Sequence, residues 1–288
     1  MRKNFGVKTA LYPEPVFIIG TYDESGVPDA MNAAWGGMGR ATVLALRDRG
    51  VRVFALDRSV GDGEENIIPI EADVTNEDSV RAALEAVRGY TERLTAIIHF
   101  AGIYMLDSLV EMDSDSFRRI FDVNLFGAFL VNKTFLPLLG AGSRIIITTS
   151  ELAALDPLPF TGIYAVTKTA LDRYAYSLRM ELQLLDISVS VLRAGATDTG
   201  MLGTSTDALD RFCDKTQLYT CNAERFKKIV GSVEARCVPT SKIAEKIVNI
   251  LKCKKPSFAY SINRNPLLIL LGMMPKCIQL WAIRLILR

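Results

Sequence analysis

The chain has 288 residues, 49% of them hydrophobic, which is enough to bury one large α/β core and short for two domains of equal size. Its 34 basic and 32 acidic residues give a net charge of +2, so we expect no nucleic-acid partner. A single histidine, His99, argues against a multi-histidine metal site and a histidine-based catalytic triad, and we expect no metal.

Residues 1–36 differ in character from the rest of the chain. Residues 1–10 lack the apolar core of a signal peptide. The apolar run 16–20 can serve as the central strand of a sheet, with residues 21–36 as an inserted loop. Residues 12–36 resemble the opening hairpin of flavin-reductase-like split-barrel proteins, which indicates a fusion. The rest of that barrel is absent, so we expect no complete flavin site.

Beyond Gly37, short apolar strands alternate with helices. Strands are predicted at 51–56, 66–70, 94–100, 144–149, 187–192 and 258–261. Helices are predicted at 37–49, from an N-cap at Asn76 to 87, from a cap at Ser114 or Asp115 to 138, at 163–185, and from Thr240 or Ser241 to 251. This order predicts a doubly wound α/β fold of the Rossmann type, with a parallel sheet in one domain over 37–264. Ligands of such sheets bind at the carboxyl ends of the strands.

Tyr164 and Lys168 carry the clearest chemical signal. They are four residues apart, so they share one face of the predicted helix. A nearby ammonium lowers the pKa of a phenol from its usual value of about 10, which lets the phenol exchange a proton with an alcohol or ketone near neutral pH. Ser150 ends the strand before this helix, and Asn124 lies on the helix before that strand. The four residues in this order indicate a catalytic site.

These four residues fall where the short-chain dehydrogenase/reductase family carries its catalytic tetrad, and residues 37–193 resemble that family. It comprises nicotinamide-dependent oxidoreductases on a Rossmann-type fold. The resemblance implies that Tyr164 is the acid/base, that Lys168 lowers its pKa and holds the nicotinamide ribose, and that Ser150 polarises the substrate oxygen. It also implies that Asn124 holds a water that links Lys168 to solvent. The expected reaction is reversible hydride transfer between nicotinamide and a secondary alcohol or ketone.

The resemblance also assigns a cofactor cleft. Gly37 and Gly39 match the end of the family's glycine-rich segment, whose backbone amides hold the pyrophosphate at a helix N-terminus. Asp57 lies 18 residues after Gly39, at the end of the second strand. A carboxylate there accepts hydrogen bonds from the adenosine ribose and repels a 2′-phosphate, which favours NAD. Arg58 could tolerate that phosphate, so NADP stays an alternative.

Five further positions match the lining of the cleft. Asp73 and Val74 resemble the family's adenine-contacting pair. Ala101 and Gly102 are small, which lets the backbone approach the cofactor. Thr199 falls where a hydroxyl binds the nicotinamide carboxamide.

One departure from the family pattern leaves alternatives open. The family's glycine-rich segment begins with Thr-Gly, and the matching positions here hold Asn32 and Ala33. A catalytically silent dinucleotide-binding protein is therefore the alternative to an active NAD(P)-dependent enzyme. A flavin-binding protein that uses residues 1–37 is a third, less favoured class.

The thiols and the histidine are interpreted as ordinary residues. The five cysteines lack metal-type spacing and suit free thiols in a reducing cytosol, so we expect a cytoplasmic protein. His99 is interpreted as a packed strand residue.

Two apolar regions near the C-terminus bear on the substrate. Residues 200–239 are expected to cover it. Residues 265–288 form an apolar extension, which is typical of a core or an oligomer interface, with membrane-surface contact as the alternative. The extension resembles that of retinol- and hydroxysteroid-type members of the family. We therefore expect an apolar, steroid- or retinol-like alcohol or ketone, and keep a homo-oligomer and a peripheral membrane contact as hypotheses.

Overall fold

The computed structural model describes residues 16–19, 37–198, 202–233 and 237–288. The strands of this part of the chain are β1 (Val16–Ile19), β2 (Val53–Asp57), β3 (Ile67–Glu71), β4 (Ala96–His99), β5 (Arg144–Ser150), β6 (Ser188–Ala194), β7 (Thr197–Asp198), β8 (Val238–Pro239) and β9 (Ala259–Ile262). Its α-helices are α1 (Gly37–Arg47), α2 (Glu77–Arg88), α3 (Ser114–Phe121), α4 (Gly127–Phe135), α5 (Gly162–Leu182), α6 (Leu202–Lys215), α7 (Thr220–Val233), α8 (Thr240–Lys252), α9 (Pro266–Met273) and α10 (Lys276–Leu287).

Seven strands form one parallel sheet in the order β3-β2-β1-β4-β5-β6-β9. The order reverses between β1 and β4, which is the arrangement of a doubly wound sheet and creates a crevice at that point. The predicted Rossmann-type α/β fold is therefore confirmed. The expectation that residues 16–20 supply the central strand also holds, because β1 pairs with β2 on one side and β4 on the other. The short strands β7 and β8 pair separately.

Both faces of the sheet are covered by helices, and β2 shows how the sequence achieves this. Phe54 and Leu56 point into a core shared with α2, α4 and α5, whereas Val53 and Ala55 point into a second core with α1 and α8. Side chains of a strand alternate between faces, so a strand buried on both sides reads as a continuous apolar run. All four are fully buried. Burying a side chain the size of Phe54 contributes about 1.5–3 kcal/mol.

The helix predicted to run to residue 138 begins and continues differently. Its N-cap is Asp113, not Ser114 or Asp115, because the Asp113 carboxylate accepts the backbone N–H of Ser116 at 2.7 Å. After α3, a π-helical turn at Asp122–Phe126 precedes α4. A π turn inserts a single residue into a helix, and so short an irregularity was not anticipated from the sequence. Asn124 lies in this turn.

Most of the N-terminal hypothesis concerns residues that the structure does not describe. Apart from β1, the flavin-reductase-like resemblance of residues 1–36 lies outside the described residues, as do Asn32 and Ala33. Within the described ranges, none of the helices combines the length and the apolar character needed to cross a bilayer.

Candidate active site

Four predicted catalytic residues converge at the carboxyl end of β5. Ser150 is the last residue of that strand, and Tyr164 and Lys168 lie one turn apart on α5. Asn124 comes from the π-helical turn, which contacts α5. Asn124 and Lys168 are fully buried, and Tyr164 and Ser150 are nearly so. The fold thus gathers residues that are up to 44 positions apart in the sequence into one buried site.

The Asn124 amide is held by hydrogen bonds within the protein. Its Oδ1 accepts the backbone N–H of Ile103 at 2.7 Å, and its Nδ2 donates to the Ile103 carbonyl at 3.0 Å and to the Thr167 hydroxyl at 3.0 Å. A fully buried amide needs such partners to offset its desolvation. Asn124 therefore fastens the π-helical turn to the loop after β4 and to α5.

The Lys168 ammonium lies beside Asn124, with Gly102 between them. A Cβ atom added at Gly102 would lie 3.0 Å from Lys168 Nζ and 3.2 Å from Asn124 Oδ1. The ammonium also donates to the Thr148 carbonyl, at the long distance of 3.5 Å. Burial lowers the pKa of Lys168 to about 8, because desolvation disfavours the charged form. The missing side chain of Gly102 leaves room for both polar groups.

Tyr164 and Ser150 form a hydroxyl pair. Burial raises the pKa of the Tyr164 phenol above its ordinary value, the Ser150 hydrogen bond lowers it, and nearby Tyr104 raises it. Desolvation is the largest of these influences, so the pKa of Tyr164 is raised in this structure, and the lowering of it by Lys168 stays a prediction. The phenol therefore keeps its proton at neutral pH. Tyr164 and Ser150 together can donate hydrogen bonds to an oxygen atom of a bound molecule.

Three neighbours of this site were missed from the sequence. Ile103 and Thr167 hold the Asn124 amide, and Tyr104 stacks edge-on against Tyr164 with ring centroids 4.9 Å apart. Thr167 lies immediately before Lys168, and Tyr104 two residues after Gly102. Their closeness to these motifs was the available signal.

The proposed adenosine side of the cleft lies at the ends of β2 and β3. Asp57 ends β2 and is fully buried, and its Oδ1 accepts the Ser59 N–H at 3.4 Å. The Arg58 side chain reaches the Asp73 carboxylate at 4.0 Å, and the Thr75 hydroxyl donates to the same carboxylate at 2.7 Å. The Arg58 guanidinium thus faces the Asp73 carboxylate. Asp57 lies at the strand end where the carboxylate that binds the adenosine ribose is expected from the family resemblance.

The remaining cleft positions are mostly small or packed. Gly37 begins α1 with a φ of 44°, which a glycine adopts without strain, and Gly39 is buried in the same first turn. Ala101 and Gly102 come just after β4, with Phe100 between, and Val74 is buried. The backbone at Gly37 and at Gly102 is not shielded by a side chain, so a dinucleotide could approach it closely at both places. Thr199 lies outside the described residues.

The structure also describes the surroundings of the single histidine and of the cysteines. His99 is buried, and one ring nitrogen lies 2.8 Å from the Asn132 amide oxygen. Burial lowers the pKa of His99 to about 4, so it is neutral at physiological pH. None of the five cysteines forms a disulfide in the part of the chain that the structure describes.

An apolar cavity of about 610 Å³ lies next to the catalytic residues. We call it the C-terminal cavity, because α9 and α10 form one wall. Its lining includes Leu109, Leu152, Phe160, Tyr219, Leu271 and Ile283. Leu152 joins it to the catalytic site, because its backbone N–H donates to the Ser150 hydroxyl at 3.2 Å and its side chain packs on the cluster that contains Tyr164. Volume and lining are those of a small-molecule pocket.

Comparison with known proteins agrees with this geometry. A family model described as short chain dehydrogenase matches residues 31–210. The NADPH-dependent 1-acyldihydroxyacetone phosphate reductase of Schizosaccharomyces pombe is 31% identical over 183 residues, which are 60% of this chain and 62% of that protein. The chain therefore spans less than two thirds of this relative. The short-chain dehydrogenase srdE of Neurospora crassa is 32% identical over 200 residues, 68% of each protein.

A solved structure shows the same fold. The short-chain dehydrogenase of Burkholderia cenocepacia, in complex with NADP, aligns with a TM-score of 0.69 and 21% identity. The alignment covers 93% of this chain and 96% of that one. At this level of identity the likeness shows the fold alone.

Proposed function

Since this chain belongs to the short-chain dehydrogenase family, we propose that it is an NAD(P)-dependent oxidoreductase acting on a secondary alcohol or ketone of largely apolar character. The observation that carries the proposal is the buried Ser150–Tyr164 hydroxyl pair beside the Lys168 ammonium. Family membership supports the oxidoreductase class, and this pair supplies the proton chemistry that such a reaction needs.

In the proposed reaction, side chains of the protein donate and accept the proton. When bound, the nicotinamide supplies or accepts the hydride. The Tyr164 hydroxyl donates its proton to the carbonyl oxygen as an alcohol forms, and the phenolate takes it back in the reverse direction. The Ser150 hydroxyl donates a hydrogen bond to the same oxygen and fixes its position. Because burial keeps the phenol protonated, the resting site is prepared for the reduction of a ketone.

Lys168 and Asn124 support that proton transfer. The Lys168 ammonium, 5.7 Å from the centre of the Tyr164 ring, stabilises the phenolate that remains after proton donation. The Asn124 hydrogen bonds to Ile103 and Thr167 keep the π-helical turn against α5 and so fix the wall of the space around Lys168. We propose that the ammonium also holds the nicotinamide ribose, and that a water beside Asn124 links it to solvent.

The cofactor would lie over the switch point between β1 and β4. Gly37, Gly39, Ala101 and Gly102 would let the backbone approach it, with Asp73 and Val74 beside the adenine and Thr199 at the carboxamide. The buried carboxylate of Asp57 favours NAD, because it would repel a 2′-phosphate. The Schizosaccharomyces pombe relative is named as NADPH-dependent, so NADP is the competing outcome.

The apolar character of the substrate is inferred from the C-terminal cavity. Leu268, Leu271 and Gly272 of α9 and Leu280 and Ile283 of α10 line it. An apolar group in contact with this wall would contribute about 25 cal/mol for each Å² removed from water. The extension 265–288 would therefore help to hold the substrate, as the resemblance to retinol- and hydroxysteroid-type members implies.

The outer face of the same extension supports peripheral membrane contact. Leu267, Leu270 and Met273 on α9 and Trp281 and Leu285 on α10 are each more than half exposed, at 55–78%. Residues 265–288 contain no acidic residue. An apolar helix face with only basic charges suits an anionic lipid surface. Sedimentation with phosphatidylserine-containing vesicles, compared with phosphatidylcholine vesicles, tests this contact, and Trp281→Ser should weaken it while Leu184→Ser at a distant exposed site should not.

Two further expectations complete the proposal. Free thiols support a reducing, cytoplasmic location. The exposed Phe126 and Phe129 side chains, next to a small apolar pocket with Phe121 and Tyr174, support association with a second copy of the chain. Sedimentation velocity tests this association.

The decisive test is turnover by the purified full chain. A series of methyl ketones of increasing chain length should be reduced with NADH or NADPH, with kcat/KM rising along the series. Binding of either dinucleotide without turnover of any ketone or secondary alcohol would favour the catalytically silent alternative. A purified protein that carries bound flavin would favour the flavin-binding class instead.

A further inference from the structure

The C-terminal cavity has an uneven distribution of charge. On the side near the active site the charged lining residue is Asp156, in the loop that follows Leu152, whereas the wall formed by α10 carries Arg284 and, at its end, Arg288. The two arginines are four residues apart and therefore share one helix face. The positive charges of the lining are thus both on the wall that α10 forms.

The other polar groups of the lining are already bonded to the protein. The Asp156 carboxylate receives hydrogen bonds from Lys276 and from the Gln279 amide, the latter at 2.9 Å. Asn222 donates to the Leu287 carbonyl at 2.6 Å. By contrast, Arg284 and Arg288 form no ion pair with any carboxylate among the described residues. Their positive charges therefore lie at the edge of an apolar cavity without a neutralising carboxylate among the described residues.

We propose that the substrate is an anionic amphiphile, with a carboxylate or phosphate group bound by Arg284 and Arg288 and an apolar chain inside the C-terminal cavity. This inference rests on the proposed function and specifies its substrate class. Guanidinium groups pair well with both anions, because their N–H donors match two acceptor oxygens. A neutral steroid or retinoid would leave this charge unused.

The lining gives the substrate a direction. The amide of Leu152, in the cavity wall, is bonded to the Ser150 hydroxyl, so the reacting carbonyl lies at that end. Arg288 lies at the end of α10 and is the last of six cavity residues spread over the ten positions from Gln279 onward. Ten helical residues extend about 15 Å. The reacting carbon and the anionic group would thus be separated by an apolar chain along this wall.

Calorimetric binding of three probes of equal chain length tests the anion site without turnover. Dodecanoate and dodecyl phosphate represent the two anions, and dodecanol is the neutral control. We expect both anions to bind more tightly than dodecanol, and the Arg284→Gln/Arg288→Gln double variant to lose roughly three- to tenfold for the anions alone. A larger loss for one anion would identify the head group. Lys254→Gln/Lys255→Gln removes the same charge from exposed residues elsewhere and should change none of the affinities.

Kinetics provides the second test. For an oxo-fatty acid, the arginine double variant should raise KM by a similar factor with kcat unchanged, and for its methyl ester it should change neither. The anion site would be overturned if dodecanol bound as tightly as the two anions. It would also be overturned if the arginine and lysine double variants lost the same anion affinity. If the wild type reduces neutral ketones in that case, the proposed function survives. Conversely, anion binding through the arginines with no ketone turned over would refute the proposed function and leave the anion site in place.

Discussion

The Lys168 ammonium lies 5.7 Å from the centre of the Tyr164 ring, one turn further along α5. Burial disfavours the charged form of both groups. It therefore lowers the pKa of the Lys168 amine and raises the pKa of the Tyr164 phenol. An amine with a pKa of about 8 nevertheless still carries its proton at pH 7. Proton donation by Tyr164 would create a phenolate, and the attraction between that phenolate and a protonated Lys168 would then be strong in this dry site.

Tyr164→Phe should lower kcat by about 10²–10⁴, the usual effect of losing a general acid/base. The fold should persist, because the ring packs among Ile103, Ile163 and Tyr104 and only a hydroxyl is removed. Steady-state kinetics and thermal unfolding measure the two effects. Tyr174→Phe removes another partly buried hydroxyl from α5, one that accepts the Asn132 amide, and should change kcat by less than about twofold. Normal turnover by Tyr164→Phe would remove Tyr164 from the proton-transfer step.

Lys168→Met should abolish most activity and, at pH 7, raise the free energy of unfolding by on the order of 2 kcal/mol. The folded pKa of Lys168 is lowered to about 8 from 10.5, so the unfolded chain binds this proton more tightly. The destabilising contribution is complete below pH 8 and disappears as the pH rises to about 10.5. The difference in stability between variant and wild type should therefore shrink across this window. A difference that stays constant in chemical denaturation from pH 7 to 10.5 would contradict the burial of a charged amine.

The convergence of the predicted catalytic residues could be anticipated from the sequence because it follows from a local rule. Ser150 ends a strand, and Tyr164 and Lys168 are spaced for one helix face, so a parallel sheet brings them together. The burial that raises the pKa of Tyr164 could not be anticipated, because it depends on Ile103 and Tyr104, which approach from the loop after another strand. Local spacing contains no information about such packing.

The C-terminal cavity was beyond sequence reasoning for a similar reason. Its wall combines the loop 108–110, the loop after β5, the start of α7, and both α9 and α10. Residues 265–288 were recognised as apolar, but their pattern does not tell which side is covered. In the structure, α9 and α10 have apolar side chains on both the cavity side and the outer side.

Gly102→Ala should reduce kcat by roughly tenfold or more with little loss of stability. The new methyl group would lie 3.0 Å from Lys168 Nζ and 3.2 Å from Asn124 Oδ1, so the end of the lysine side chain must move. A small displacement of a catalytic group is costly for the rate, although a flexible ammonium can move at low cost to folding. Gly140→Ala is a matched control, because its Cβ would meet no atom closer than 4.0 Å. Wild-type kcat in Gly102→Ala would show that the position of Lys168 tolerates this shift.

Asp57 should give NADH a kcat/KM at least about tenfold higher than that of NADPH, because a carboxylate at the end of β2 would face the extra phosphate of NADPH. Asp57→Ala should bring kcat/KM for NADPH closer to that for NADH, mainly through a lower KM for NADPH. Glu71→Ala is the matched control, since Glu71 ends the neighbouring strand β3 in register with Asp57 and is exposed. The control should leave the ratio unchanged. A wild type that prefers NADPH would overturn the assignment of Asp57. The Arg58 guanidinium, 4.0 Å from Asp73, would then be the group to examine, with Arg58→Gln expected to reverse that preference.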